Sequence, residues 1–175
     1  MKFIKTKIKG AYIIELEKKE DERGFLTRTW SKDEFAQNGI NVDLVQGYSS
    51  FTKKKGTMRG IHYRTAPPYV AQLTRCLTGA MYEAIVDLRP DLATYRKWQG
   101  FEFKSDDNKM LFIPQGCAHA VLTLEDNTLY INLYSQFYNG EIESGIRYND
   151  PAFSIKWPIP VVTVSEKDKS WEDFK

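Results

Sequence analysis

Cysteine and histidine are scarce in this sequence, with two of each: Cys76 and Cys117, His62 and His119. Two cysteines at that spacing suggest neither a disulfide framework nor a zinc cluster. They read as small buried residues in a reducing compartment. No segment approaches the roughly 20 apolar residues of a membrane span. The run from Met1 to Lys9 lacks the continuous apolar stretch of a signal peptide. The expected location is therefore cytoplasmic, without a membrane partner. Charge of one sign is also missing: 25 Lys and Arg against 23 Asp and Glu leave a net charge of +2. That excess is too small to require nucleic acid or an anionic surface as an obligate partner. Lys53–Lys55 is the only basic run and reads as a solvated turn.

What is present is an ordinary globular balance over 175 residues, enough to bury a core without a disulfide or metal staple. The expectation is one domain over residues 1–175. Aromatic and β-branched residues recur in short alternating runs separated by turn residues. Strands are predicted at Ala11–Glu17, Ala71–Thr78, Ala80–Leu88, Lys97–Phe103, Met110–Ile113, Ala118–Leu124 and Thr128–Phe137. Many strands at nearly regular spacing predict an all-β sandwich or barrel. Ser31-Lys-Asp-Glu34 has the form of a capping box, and Gly39 is a plausible stop. A single short helix is expected at Lys32–Asn38, with Phe35 inward. Pro158–Pro160 suggests a tail lying over the domain.

The two histidines carry the chemical interest. His62 lies in Arg59-Gly-Ile-His-Tyr-Arg64, and His119 closes Pro114-Gln-Gly-Cys-Ala-His119. Alternate residues of a barrel strand face the lumen, so two strands can aim both imidazoles into one pocket. The plain alternative for each is a hydrogen-bonded structural histidine. Pro-x-Gly-x-x-His resembles the second motif of the cupin superfamily. Metal-binding cupins also need a His-x-His pair and a carboxylate in the first motif. Here that run holds His62 only, a poor basis for a three-ligand site. No metal and no cofactor are expected.

The order and spacing of several runs make the resemblance more specific. They are Asp21-Glu-Arg-Gly-Phe25, Arg59-Gly-Ile-His-Tyr63, Leu73-Thr-Arg75 with Gly79, Val86-Asp-Leu-Arg89, Ile113-Pro-Gln-Gly-Cys-Ala-His119, Gly145-Ile-Arg-Tyr-Asn-Asp-Pro151, Trp157-Pro158 and Ser165-Glu-Lys-Asp168. With them the chain resembles the dTDP-4-dehydrorhamnose 3,5-epimerase family over nearly its whole length. The resemblance implies a cupin-type double-stranded β-helix and a homodimer in which an N-terminal strand reaches the partner's pocket. It also implies an isomerase acting on a nucleotide-linked 4-keto-6-deoxy sugar, in deoxysugar and surface-polysaccharide synthesis. A ketone at C4 acidifies the hydrogens at C3 and C5; a base removes one and a proton returns on the other face. Imidazole suits the base, and a carboxylate behind it would orient the ring. By resemblance His62 is the base and Asp168 its partner. Arg23 and Arg59 match positions that hold the diphosphate, for which forked guanidinium groups are suited. Gln46 matches a polar contact, Tyr138 a ring packed on the base, and His119 a pocket histidine near the enolate oxygen.

Four positions depart from the family pattern. Gln72 stands where a lysine is usual, so the charge-assisted part of enolate stabilisation is lost. Asn132 stands where a general-acid tyrosine is usual. Tyr130 and Tyr134, two residues either side, share its strand face, and either one, or a water, is a candidate replacement. Arg28 replaces glutamate and Tyr48 replaces asparagine, which suggests a different nucleotide. Alternatives to the two-centre epimerase are an enzyme acting at C3 or C5 only, a sugar-nucleotide-binding cupin without turnover, and a metal-dependent cupin oxygenase.

Overall fold

The computed structural model describes residues 1–175. Thirteen strands and two short helices follow one another as β1 (Lys2–Lys5), β2 (Tyr12–Glu15), β3 (Lys18–Asp21), β4 (Gly24–Thr27), α1 (Lys32–Gln37), β5 (Gln46–Thr52), β6 (Met58–Arg64) and β7 (Gln72–Thr78). The rest are β8 (Ala80–Asp87), β9 (Trp98–Lys104), β10 (Lys109–Ile113), β11 (Cys117–Thr123), β12 (Thr128–Tyr134), β13 (Glu143–Gly145) and α2 (Glu166–Lys169). One sheet runs β1-β2-β10-β7-β12-β5 and the other β13-β6-β11-β8-β9, while β3 and β4 pair only with each other. All the strand pairs are antiparallel, which gives an all-β jelly roll, within the sandwich-or-barrel class that the turn spacing predicts.

Period-two alternation sorts the side chains into three cores. Between the sheets, Met81 and Ile85 of β8 meet Cys76, Leu111, Val121 and Tyr130. Outside the six-stranded sheet, Leu73, Met110 and Phe112 pack under Phe35 of α1. Burying one such ring stabilises by roughly 1.5–3 kcal/mol. Outside the five-stranded sheet, Ala118, Ala120 and Leu122 are covered by Phe153, Trp157, Val161 and Phe174 of the tail. The tail therefore lies on the barrel, as Pro158–Pro160 suggests. In β7 the polar residues Gln72 and Thr74 are buried with Cys76, and Leu73 lies in the outer core. A polar patch inside a jelly roll is what a ligand-binding lumen requires.

Two expectations are corrected here. The helix forms at Lys32–Gln37 with Phe35 buried, but Ser31 makes no side-chain cap hydrogen bond. Glu34, the other half of the expected box, is instead bound by Arg28 at 2.6 Å and by the N-terminal ammonium at 3.1 Å. A second helix, α2, exists in the tail, capped by Ser165 Oγ accepting from Asp168 N at 3.0 Å. The four residues Ser165-Glu-Lys-Asp168, two of them acidic, offer no apolar periodicity, so pattern reading passes over the helix.

Candidate active site

The lumen opens into a cavity of about 800 Å³ lined from both sheets and the tail. β6 contributes Arg59 and His62, β11 His119, β7 Gln72, and β12 Tyr130, Asn132 and Tyr134. Gln46, Tyr138 and Asp168 complete it, so ten of the eleven residues picked from sequence line one cavity. Arg23 is the exception. It sits at the β3–β4 turn, its side chain 84% exposed and paired with Asp21 at 2.6 Å. Arg28, expected near the nucleotide, also lies outside the cavity and is held by Glu34. Arg23 belongs to the β3–β4 hairpin, which pairs with no other strand, and Arg28 to the segment leading into α1.

Sequence distance hides the central pair. Asp168 Oδ1 lies 2.7 Å from His62 Nε2, across 106 residues of chain. The carboxylate accepts, so Nε2 carries the proton and Nδ1 is the basic nitrogen. Trp171 Nε1 and Gly60 N donate further hydrogen bonds to Asp168 at 3.4 Å each. Burial would raise the Asp168 carboxyl, but the hydrogen bond and charge of His62, with Ser165 and Gly60, outweigh it and hold it at about 2. Two glycines make this geometry possible. A Cβ on Gly60, whose φ is +110°, would sit 2.6 Å from the His119 carbonyl oxygen. One on Gly145 would sit 2.1 Å from Trp171 Nε1, where the tail docks.

His119 is the strand partner of His62, so the imidazoles come from neighbouring strands. Its Nδ1 lies 3.2 Å from Glu83 Oε1 and 3.4 Å from Gln72 Nε2. Glu83 is fully buried, and its Oε2 has no partner, nor do Gln72 Oε1 and Asn132 Oδ1. Sequence reading missed Glu83. The available signal was its place between Met81 and Ile85 on the inward face of β8, where a carboxylate is costly unless used. Glu143 and Lys167 also line the cavity and were missed, being short-strand and tail residues.

Tyr130 is 2% exposed, and burial pushes its phenol up to about 12. Tyr134 is more accessible, and burial, with Glu83 and Tyr130 adding, pushes its phenol up as well. Both therefore hold their protons at neutral pH. Arg59 makes one hydrogen bond, to Thr52 Oγ1 at 3.4 Å, which leaves guanidinium N–H groups for an anion. Arg64 is different: its guanidinium is tied to the Pro68 and Phe137 carbonyls. No group of three or more His, Cys, Asp and Glu converges as metal ligands.

Residues 5–175 match the family model described as dTDP-4-dehydrorhamnose 3,5-epimerase. The chain belongs to the dTDP-4-dehydrorhamnose 3,5-epimerase family. It is similar to the epimerase of that name from Methanothermobacter thermautotrophicus, 36% identical over 99% of this chain and 95% of the relative. It is also similar to the Bacillus anthracis epimerase solved with TDP and PPi bound, at 31% identity and a TM-score of 0.95, covering 99% of each chain. A 3′-monoepimerase from Streptomyces bikiniensis, solved with dTDP-quinovose, is 26% identical with a TM-score of 0.88 over 96% of this chain and 85% of that one. The jelly roll is thus the cupin-type fold of the epimerase family, and the chain is an isomerase of that type.

Proposed function

We propose that this epimerase acts on a dTDP-linked 4-keto-6-deoxy sugar in deoxysugar synthesis, with His62 as the proton-abstracting base. The observation that carries the reading is the 2.7 Å His62–Asp168 pair in the wall of the cavity. Nδ1 of His62 takes a proton from the carbon next to the C4 ketone. Asp168 fixes the tautomer and stabilises the imidazolium that forms. The enolate oxygen is met by hydrogen bonds from His119 and the Gln72 amide rather than by a lysine. Tyr134 returns the proton. It stands on the sheet opposite His62, as inversion demands, and it is more open to the cavity than Tyr130. Arg59 holds the diphosphate, and the Tyr138 ring packs on the base.

Arg23 serves a second copy of the chain in this reading. The β3–β4 hairpin pairs with no other strand, and Phe25 and Leu26 on it are 54% and 73% exposed. A homodimer that lays this hairpin on its partner would bury both side chains and bring Arg23 to the partner's cavity. Residues 1–175 act as one domain, in the cytoplasm.

A narrower reading is a single-centre epimerase. Gln72 and Asn132 supply neither a cation nor an ionisable acid, and the similar 3′-monoepimerase from Streptomyces bikiniensis shows that the fold supports one-centre chemistry. NMR in deuterated water on dTDP-4-keto-6-deoxyglucose, with His62→Ala as control, separates the two. Exchange at C3 and C5 that vanishes in the control supports the two-centre enzyme. Exchange at one carbon supports the narrower one, and no exchange with any 4-keto sugar nucleotide leaves neither standing.

A further inference from the structure

Two side chains compete for one nitrogen of His119. Its Nδ1 lies 3.2 Å from Glu83 Oε1 and 3.4 Å from Gln72 Nε2. A ring nitrogen either donates or accepts, and a carboxylate only accepts, so beside Glu83 it is Nδ1 that carries the proton. That holds whether the ring is neutral or charged. The Gln72 amide then meets an N–H with its own NH2 group, while its Oε1 is buried without a partner. Both arrangements are unfavourable. A half-turn about the last bond of the side chain exchanges the two ends of the amide and removes both faults. Oε1 then accepts from Nδ1–H, which it shares with Glu83. Nε2 moves to the side of the amide away from the imidazole.

The sheets show what lies around the turned amide. Gln72 reaches His119 across the lumen, from β7 of one sheet to β11 of the other. Its strand partner on β12 is Tyr134, and both line the cavity. Gln72 is only 2% exposed, so water competes little for its N–H groups. We propose that Glu83, acting through His119 Nδ1–H, locks the Gln72 amide with its carbonyl on His119 and its N–H groups toward the cavity beside Tyr134. The inference rests on the proposed function, in which an enolate forms between the sheets. Locked this way, Gln72 offers the enolate donors only. Turned the other way, its carbonyl oxygen would face the enolate and repel it. Glu83 is thereby a positioning residue. A neutral amide serves at the lysine position because its polarity is fixed from behind.

Nitrogen-15 NMR of the full chain labelled at histidine tests the lock without substrate. The chain has two histidines, so a His62→Ala sample assigns the signals. His119 Nδ1 should stay protonated at every pH, with Nε2 alone losing its proton when the ring becomes neutral. A bare Nδ1 in the neutral ring overturns the inference, because Glu83 or Gln72 would then be the donor. Turnover gives the second arm. Gln72→Met keeps the length of the side chain and deletes its donors, so kcat should fall about tenfold with KM nearly unchanged. An unchanged kcat would remove Gln72 from the reaction and overturn the inference. In a Glu83→Gln background the lock is gone, so Gln72→Met should cost less there. An equal cost in both backgrounds would show that Gln72 is oriented without Glu83, against the positioning role. Because the ring measurement needs no substrate, a failure of the proposed function is told apart from a failure of the lock.

Discussion

His62 and His119 face one cavity, each backed by a carboxylate, but the two pairs are built in opposite ways. Glu83 is a wall residue of β8, fully buried beside the strand that carries His119. Asp168 arrives from the tail on a single turn of helix, held by Ser165, Gly60, Trp171 and His62. The wall pair is as durable as the barrel. The tail pair depends on how the tail docks, and the same tail covers one face of the five-stranded sheet. The pair proposed to take the proton has the tighter contact, 2.7 Å against 3.2 Å. The looser pair suits a group that stabilises charge.

The largest effect should come from breaking the first pair at its base. His62→Ala should lower turnover by about a thousandfold or more with little change in melting temperature. A drop of less than tenfold would move the base elsewhere, with His119 the next candidate. Asp168→Asn keeps the shape but supplies an amide that orients the ring differently, and about a hundredfold loss in kcat is expected with KM nearly unchanged. Gly145→Ala attacks the same pair from a distance. The new Cβ would fall 2.1 Å from Trp171 Nε1, so the tail must shift and Asp168 with it. Activity should fall about tenfold or more, and in the double variant the losses from Gly145→Ala and Trp171→Ala should not add.

The contrast between the pairs also explains what the sequence reveals. Strand alternation is a local signal, so β7, β8 and β11 are legible within one residue, β12 to within three at its end, and so is the shared face of Tyr130, Asn132 and Tyr134. The His62–Asp168 pair is not local. It depends on a tail crossing one sheet and stopping against Gly145, and only family resemblance connected the two residues. Glu83 shows the reverse failure. It is local and lies on a readable face, but a lone carboxylate in a strand looks solvated until burial is known. Arg23 matches a diphosphate position and Arg28 a nucleotide-end position by resemblance, and in this chain both side chains are exposed and ion-paired, with Asp21 and Glu34. The capping box failed because Arg28 and the N-terminus compete for Glu34, a tertiary contact that outweighs a local one.

The second pair is sharpened by Glu83→Gln, which keeps volume and burial but removes the charge behind His119. About a tenfold loss in kcat is expected, with exchange of substrate hydrogen slowed to a similar degree because it passes through the same enolate. Turnover and exchange that both stay unchanged would make Glu83 a purely structural residue.

The smallest effect is on stability, and it belongs to the tail pair. The Asp168 carboxyl is held at about 2, against an ordinary 3.8. A lowered value means that folding favours the charged form, so the contribution is complete above pH 4 and fades as pH falls toward about 2. Its full size is about 2 kcal/mol. Wild type should therefore melt above Asp168→Asn at pH 6, with the gap closing through that acid window. A gap that stays constant to pH 2 would show that the tail is held by Trp157, Val161 and Phe174 against the sheet, and that the Asp168 charge serves His62 without helping to dock it.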